Sequence, residues 1–181
     1  TVKPDFKFGL PELDTLDFAH KRVIVVTCHR RENYGQPMQD IMHAILEVVN
    51  SHPDVEVVYP VHLSPVVREC AFPILGGHAR IHLIDPVNVE QMHNLISRCY
   101  MVMTDSGGLQ EEAPALGKPV LVMRRETERP EAVAAGTAKL AGVDRGEIVR
   151  LASMLLDSSE AYASMAKAVN PYGDGRASER I

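Results

Sequence analysis

Short apolar runs rich in β-branched residues alternate along this chain with longer segments whose apolar residues recur every three or four positions. The first run is Arg22-Val-Ile-Val-Val-Thr27. A continuous apolar run of that length fits a strand covered on both faces, as a parallel sheet requires. Beyond Pro37, placed where a first helical turn tolerates proline, Met38, Ile41, Met42, Ile45, Leu46 and Val49 keep helical spacing until Asn50-Ser-His-Pro53. The alternation then repeats. Strands are predicted over 55–59, 80–84, 100–104 and 118–123, with a weaker one over 138–142. Helices are predicted over 64–72, from Asn88, from Gly107 to about Leu116, over 129–135 and from Asp144 to Leu155. Met92, Leu95, Ile96 and Cys99 share one face of the helix that starts at Asn88. Asn88 with Gln91, and Asp144 with Glu147, have the spacing of capping boxes. Strands alternating with helices in this way predict an α/β fold, a three-layer α/β/α Rossmann-like domain on a parallel sheet. Its expected span is 21–169, after a linker over 1–20 and before a C-terminal segment over 170–181.

Composition narrows the possibilities. A length of 181 residues suits one domain, and 45% apolar with 24% charged residues is ordinary for a soluble chain. The formal net charge of −5 argues against a general nucleic-acid or membrane-surface binder but leaves room for a local basic pocket. Cys28, Cys70 and Cys99 are odd in number and lack C-x-x-C spacing, so they read as reduced thiols of a cytoplasmic protein. No signal peptide and no bilayer-length apolar run is present, and both Thr1 and Ile181 look like cuts in something longer.

In parallel sheets of this kind ligands bind outside the carboxyl ends of the strands. Three segments at such ends are unusually polar: 29–33, 104–112 and 124–131. In the second, Ser106, Gly107 and Gly108 stand where a helix begins, so free N–H groups and the helix dipole can hold phosphate oxygens; the alternative is a turn with glycines used only for geometry. Glu111 and Glu112 follow, as first-turn acids or as a carboxylate for a ribose diol. In the third, Arg124, Arg125 and Arg129 either fork around a diphosphate or form a solvated loop of alternating charge. Arg129 precedes Pro130, which places it at a helix mouth. His29, after the first strand, is either an acid, base or hydrogen-bond donor to a leaving group or a histidine satisfied by backbone contacts. His78 and His82 straddle a strand start, and no carboxylate–histidine group has metal spacing, so no metal is predicted.

Taken in order, Thr27-Cys-His-Arg-Arg-Glu-Asn33, Tyr59-Pro-Val-His62, Leu83-Ile-Asp-Pro86, Thr104-Asp-Ser-Gly-Gly-Leu-Gln-Glu-Glu-Ala-Pro114, Gly117-Lys-Pro-Val-Leu-Val-Met-Arg124, Thr127-Glu-Arg-Pro-Glu131 and Asn170-Pro-Tyr-Gly-Asp-Gly175 closely resemble bacterial non-hydrolysing UDP-N-acetylglucosamine 2-epimerases. The resemblance covers 22–181 and only about the second half of that family's full-length protein, one half of a GT-B-type two-domain enzyme. It implies that Ser106, Gly107 and Gly108 meet the diphosphate of UDP, that Glu112 takes the ribose hydroxyls, and that Arg129 contacts the phosphates. It further implies that His29 is catalytic and that uracil lies near the 83–86 loop and Met92, where family members often carry an aromatic residue. Arg30 and His62 match an allosteric site for a second UDP-N-acetylhexosamine. The implied reaction eliminates and re-adds UDP, needs no cofactor, and draws its acid/base carboxylates from an N-terminal domain absent here; full-length members are commonly homodimers. A nucleotide-sugar glycosyltransferase domain and a non-catalytic sensor of phosphorylated ligands are the alternative readings.

Overall fold

The computed structural model describes residues 2–173. Six strands, β1 (Arg22–Thr27), β2 (Val55–Pro60), β3 (Ile81–Ile84), β4 (Met101–Thr104), β5 (Val120–Val122) and β6 (Ala138–Leu140), form one sheet in the order β3-β2-β1-β4-β5-β6. Every pairing is parallel. The order runs outward from β1 in both directions, so the chain reverses between β1 and β4, and the crevice at such a switch point is where doubly wound sheets bind ligands.

The helices are α1 (Pro11–Asp14), α2 (Gln36–Ser51), α3 (Pro65–Leu75), α4 (Val89–Arg98), α5 (Gly107–Ala115), α6 (Pro130–Ala135), α7 (Arg145–Asp157) and α8 (Ser159–Ala166). Strand alternation sorts the core into two layers. Ile24, Val26, Val57, Tyr59, Met101, Met103 and Leu121 face α2, α3 and α7, whereas Val23, Val25, Val58, Val102, Val120 and Val122 face α4, α5 and α6. Successive strand side chains point to opposite faces, and here both faces are covered. That is why these runs are apolar throughout.

The expected elements are present, with differences that have physical causes. The helix expected to stop near Phe72 passes Pro73 and ends at Leu75. Pro73 costs a hydrogen bond, but Leu75 is fully buried in the first core layer, and burying a leucine offsets that cost. The helix α8 carried no strong apolar stripe, burying only Met165. It is fixed instead by the Ser158 cap on the Ala161 N–H at 3.1 Å and by Tyr162, which stacks on Tyr100 at 4.1 Å and donates to its carbonyl. The Asn88–Gln91 capping box is formed in both directions. Asp144 likewise accepts the Glu147 N–H, but the Glu147 carboxylate is taken by Arg150.

The first twenty residues do more than lead in: Phe8 and Leu13 are buried in the second core layer, with Phe6, Leu10 and Phe18 packed on it. Arg98 ties this segment down, lying over the Phe8 ring and donating to the carbonyl of Phe6. Of the C-terminal segment, Tyr172 packs on the same layer, and residues 174–181 lie outside the described residues. Among the described residues no helix is long and apolar enough to cross a membrane.

Candidate functional site

Two loops meet at the switch point, one after β1 and one after β4. Thr27 and Thr104, the last residues of those strands, share a buried hydroxyl contact of 2.6 Å, and Thr104 Oγ1 also accepts the Ser106 N–H at 2.8 Å. Asp105, wholly buried, turns its carboxylate back under the first loop, where Oδ2 accepts the N–H of His29 at 2.9 Å and of Arg30 at 2.8 Å. Oδ1 has no hydrogen-bond partner and stands 3.6 Å from His29 Nδ1. Burial, with the Asp105 charge next in weight, pushes the neighbouring Cys28 thiol well above its usual range, so it is an inert core group. Tyr59 closes the floor of the loop by donating to the Cys28 carbonyl at 2.7 Å.

From this base an open cavity of about 250 Å³ extends past the strand ends. His29, His62, Pro86, Met92, Ser106 and Leu109 line it. The rings of His29 and His62 stack at 5.4 Å with 10° between their planes. The His62 Nδ1 accepts the Ser64 N–H at 3.0 Å, which puts the proton of a neutral ring on Nε2. Of the 83–86 loop, only Pro86 reaches this cavity, which Met92 also lines.

The start of α5 forms the other wall. Ser106 is its N-cap in extended geometry and Gly107 its first helical residue, so the opening N–H groups have no helical partners and carry the positive end of the dipole. The space beside Gly107 is closely bounded: a Cβ there would stand 3.3 Å from Glu128 Oε2, 3.7 Å from Arg30 Nη2 and 3.8 Å from Arg129 Nη2. Two guanidinium groups from separate loops thus converge on one glycine. Glu112 stands one turn further along, near Gly108, with its carboxylate 3.3 Å from His93 Nε2.

The two alternatives for the 124–131 segment divide between its arginines. Arg124 is buried and pairs with Glu32, whose hydrogen bond raises its pKa, so it locks the loop after β1 to the loop after β5. Arg125 is exposed and lines a separate dent with Glu32 and Glu126. Arg129 alone of the three reaches the start of α5, with its Nε donating to Glu111. The two residues that aim it were not singled out from sequence. Buried Gln110 accepts from Thr127 Oγ1 at 2.6 Å, and Thr127 Oγ1 accepts the Arg129 N–H at 3.0 Å. Asn33 and Asp105 were also passed over as site residues; Asn33 Nδ2 donates to the Met123 carbonyl at 3.1 Å. Their only signal in the sequence was a polar side chain in a segment that follows a strand, directly for Asp105 and six residues on for Asn33.

His29, His62, Met92 and Ser106 therefore share one cavity, and Arg30, Arg129 and Glu128 meet around Gly107 beside it. Among the described residues no group of three or more His, Cys, Asp or Glu is placed to hold a metal ion.

Comparison with known proteins gives the family and the fold. The sequence model of a family described as UDP-N-acetylglucosamine 2-epimerase matches residues 5–181. A Thermotoga maritima relative is 58% identical over 181 residues, which are all of this chain and 48% of its own. The UDP-N-acetylglucosamine 2-epimerase of Bacillus subtilis is 53% identical over 174 residues, 96% of this chain and 45% of its own. Among solved structures, a UDP co-structure of Staphylococcus aureus MnaA superposes with a TM-score of 0.92 at 46% identity, over all of this chain and 48% of that one. The chain spans just under half the length of these relatives.

Proposed function

Since the chain belongs to the UDP-N-acetylglucosamine 2-epimerase family, we propose that it is the UDP-gripping half of an enzyme interconverting UDP-N-acetylglucosamine and UDP-N-acetylmannosamine. One observation carries this reading: the guanidinium groups of Arg30 and Arg129 converge within 4 Å of the Gly107 position at the start of α5, beside a cavity holding His29 and Met92. The S. aureus neighbour with UDP supports the same ligand.

In this reading the diphosphate lies on the N–H groups of Gly107 and Gly108, with Ser106 and Arg129 donating to its oxygens. The ribose diol binds the Glu112 carboxylate, which leaves His93 to do so, and the uracil ring lies against Met92 and Pro86. The reaction implied by the resemblance removes the C2 proton and breaks the C1–O bond, so that UDP departs with the bonding pair. Reprotonation of C2 from the opposite face and re-addition of UDP at C1 complete it. Negative charge grows on the departing diphosphate, where fixed N–H groups and guanidinium donors stabilise it most. His29, held by Asp105, faces that diphosphate and donates to the leaving oxygen. The carboxylates that move the C2 proton come from the N-terminal domain of the full-length enzyme. His62 lines the cavity beside His29, and Arg30, which the resemblance matched with it to a second UDP-N-acetylhexosamine, turns its guanidinium to the diphosphate corner instead.

Titration of the 181-residue chain with UDP by calorimetry tests the reading, with inorganic phosphate as comparator. Selective UDP binding without turnover of UDP-N-acetylglucosamine is expected. Equal response to phosphate and UDP would sink it, and turnover by this chain alone would refute the assignment of the carboxylates to another domain.

A further inference from the structure

One charge in the anion corner is of the wrong sign for a diphosphate site. The Glu128 carboxylate lies 3.3 Å from where a Gly107 Cβ would stand, nearer than either guanidinium. It accepts from Arg30 Nη1 at 3.3 Å and from Arg30 Nη2 at 3.4 Å, in the fork geometry of a guanidinium on an oxyanion. A third cation faces it: Nη1 of Arg124, buried and without a hydrogen-bond partner, is 3.4 Å from Glu128 Oε1. Arginines on two loops thus point at one carboxylate group, which stands over the start of a helix. Phosphoryl oxygens favour that same place.

We propose that Glu128 is a displaceable internal anion: its carboxylate holds the phosphoryl position over Gly107, and an incoming diphosphate replaces it on Arg30 and Arg124. The inference rests on the nucleotide reading above and adds to it a residue that opposes binding. Magnitude favours exchange over a fixed strut. The Glu128 side chain is 50% exposed, its bonds to Arg30 are long, and exposed ion pairs of this kind are weak. A diphosphate brings more charge and more acceptor oxygens to the same donors, and it also meets the opening N–H groups of α5, whereas the Glu128 carboxylate is held by Arg30 and Arg124. The arginines hold the Glu128 carboxyl below the usual carboxylate range, Arg30 foremost, so at neutral pH it is present as the competing anion. Its departure also frees the corner for UDP without moving Arg124, which Glu32 anchors independently. Glu128 therefore sets how tightly UDP is held, an advantage in a site that must grip a nucleotide during reaction and release it afterwards.

The experiment compares wild type, E128Q and E128D by calorimetry with three probes: UDP, inorganic pyrophosphate and uridine. E128Q keeps the size of the side chain and removes its charge. Expected is an affinity about three- to fivefold higher for UDP and pyrophosphate, the scale of an exposed ion pair, with uridine unaffected and E128D close to wild type. Unchanged or weaker UDP binding by E128Q, with wild type still binding UDP, overturns the exchange and leaves the nucleotide site standing. A gain that extends to uridine also overturns it, because a carboxylate competing for phosphate positions does not oppose the base. Binding by neither protein overturns the exchange and the nucleotide reading together, whereas binding by E128Q alone supports both. Melting temperatures of the three proteins, expected to agree closely for an exposed residue, separate these outcomes from misfolding.

Discussion

Asp105 holds His29 by its backbone and faces its ring with the same carboxylate: Oδ2 takes the His29 N–H at 2.9 Å while Oδ1 lies 3.6 Å from Nδ1. The pairing crosses the switch point of the sheet, β4 to β1, so the register of those two strands fixes where the imidazole stands. Removing the carboxylate leaves the N–H groups of His29 and Arg30 without their acceptor. Hydrogen bonds to charged acceptors contribute roughly 1.5–3 kcal/mol each. Asp105→Ala is expected to cost about 3 kcal/mol, or roughly 6–12 °C in melting temperature for a domain of this size. Asp105→Asn, which keeps one carbonyl acceptor, should lose about half as much. A calorimetric melt of Asp105→Ala within a degree of wild type would contradict this.

Thr127 bridges buried Gln110 to the backbone of Arg129. Thr127→Val preserves shape while removing both bonds. Arg129 then loses its aim at Gly107, and UDP affinity should fall about three- to tenfold, the loss of one ordinary hydrogen bond's worth of positioning. Titration calorimetry reads this directly. Undiminished affinity would mean that Arg129 is positioned by Glu111 alone.

Met92 lines the same cavity as Pro86, where a flexible thioether covers a ring less well than an aromatic does. Base–aromatic stacking contributes about 1–3 kcal/mol, so Met92→Phe should tighten UDP and uridine alike, by about three- to tenfold after the loss of methionine contacts. A gain with pyrophosphate would place the residue elsewhere than beside the base.

The hydrogen bond from Arg22 holds the Asp54 carboxyl below the usual range, with burial opposing. A folded-state value below the unfolded one means that the group contributes stability above the unfolded pKa of about 4 and loses it as pH falls through the folded value. Denaturation midpoints in urea are therefore expected to drop between about pH 5 and pH 3 more steeply for wild type than for Asp54→Asn. Parallel acid limbs for the two proteins would contradict the assignment.

The three-layer fold was legible in the sequence because its signals are local. A parallel strand covered on both faces must be apolar throughout, as 22–27 and 55–59 are, and helices such as α2 and α4 show their stripes and caps within a dozen residues. Long-range compensation was not legible. The helix expected over 64–72 runs on past Pro73, and only the pocket waiting for Leu75 carries it there. A polar-looking start hid Phe8 and Leu13, whose partners lie about eighty residues away on α4.

The same division holds in the site. By itself the sequence determined which strand ends carry chemistry, since glycines at a helix start and polar residues after a strand are properties of neighbouring positions. The tertiary structure alone decided which charges meet: it buried Arg124 as a lock, brought Arg30 and Arg129 to one glycine, and set Glu128 between the cations. A run of alternating charge leaves such choices open. Each side chain can turn to solvent or inward, and only the packing of β4, β5 and their loops fixes which of them face one another.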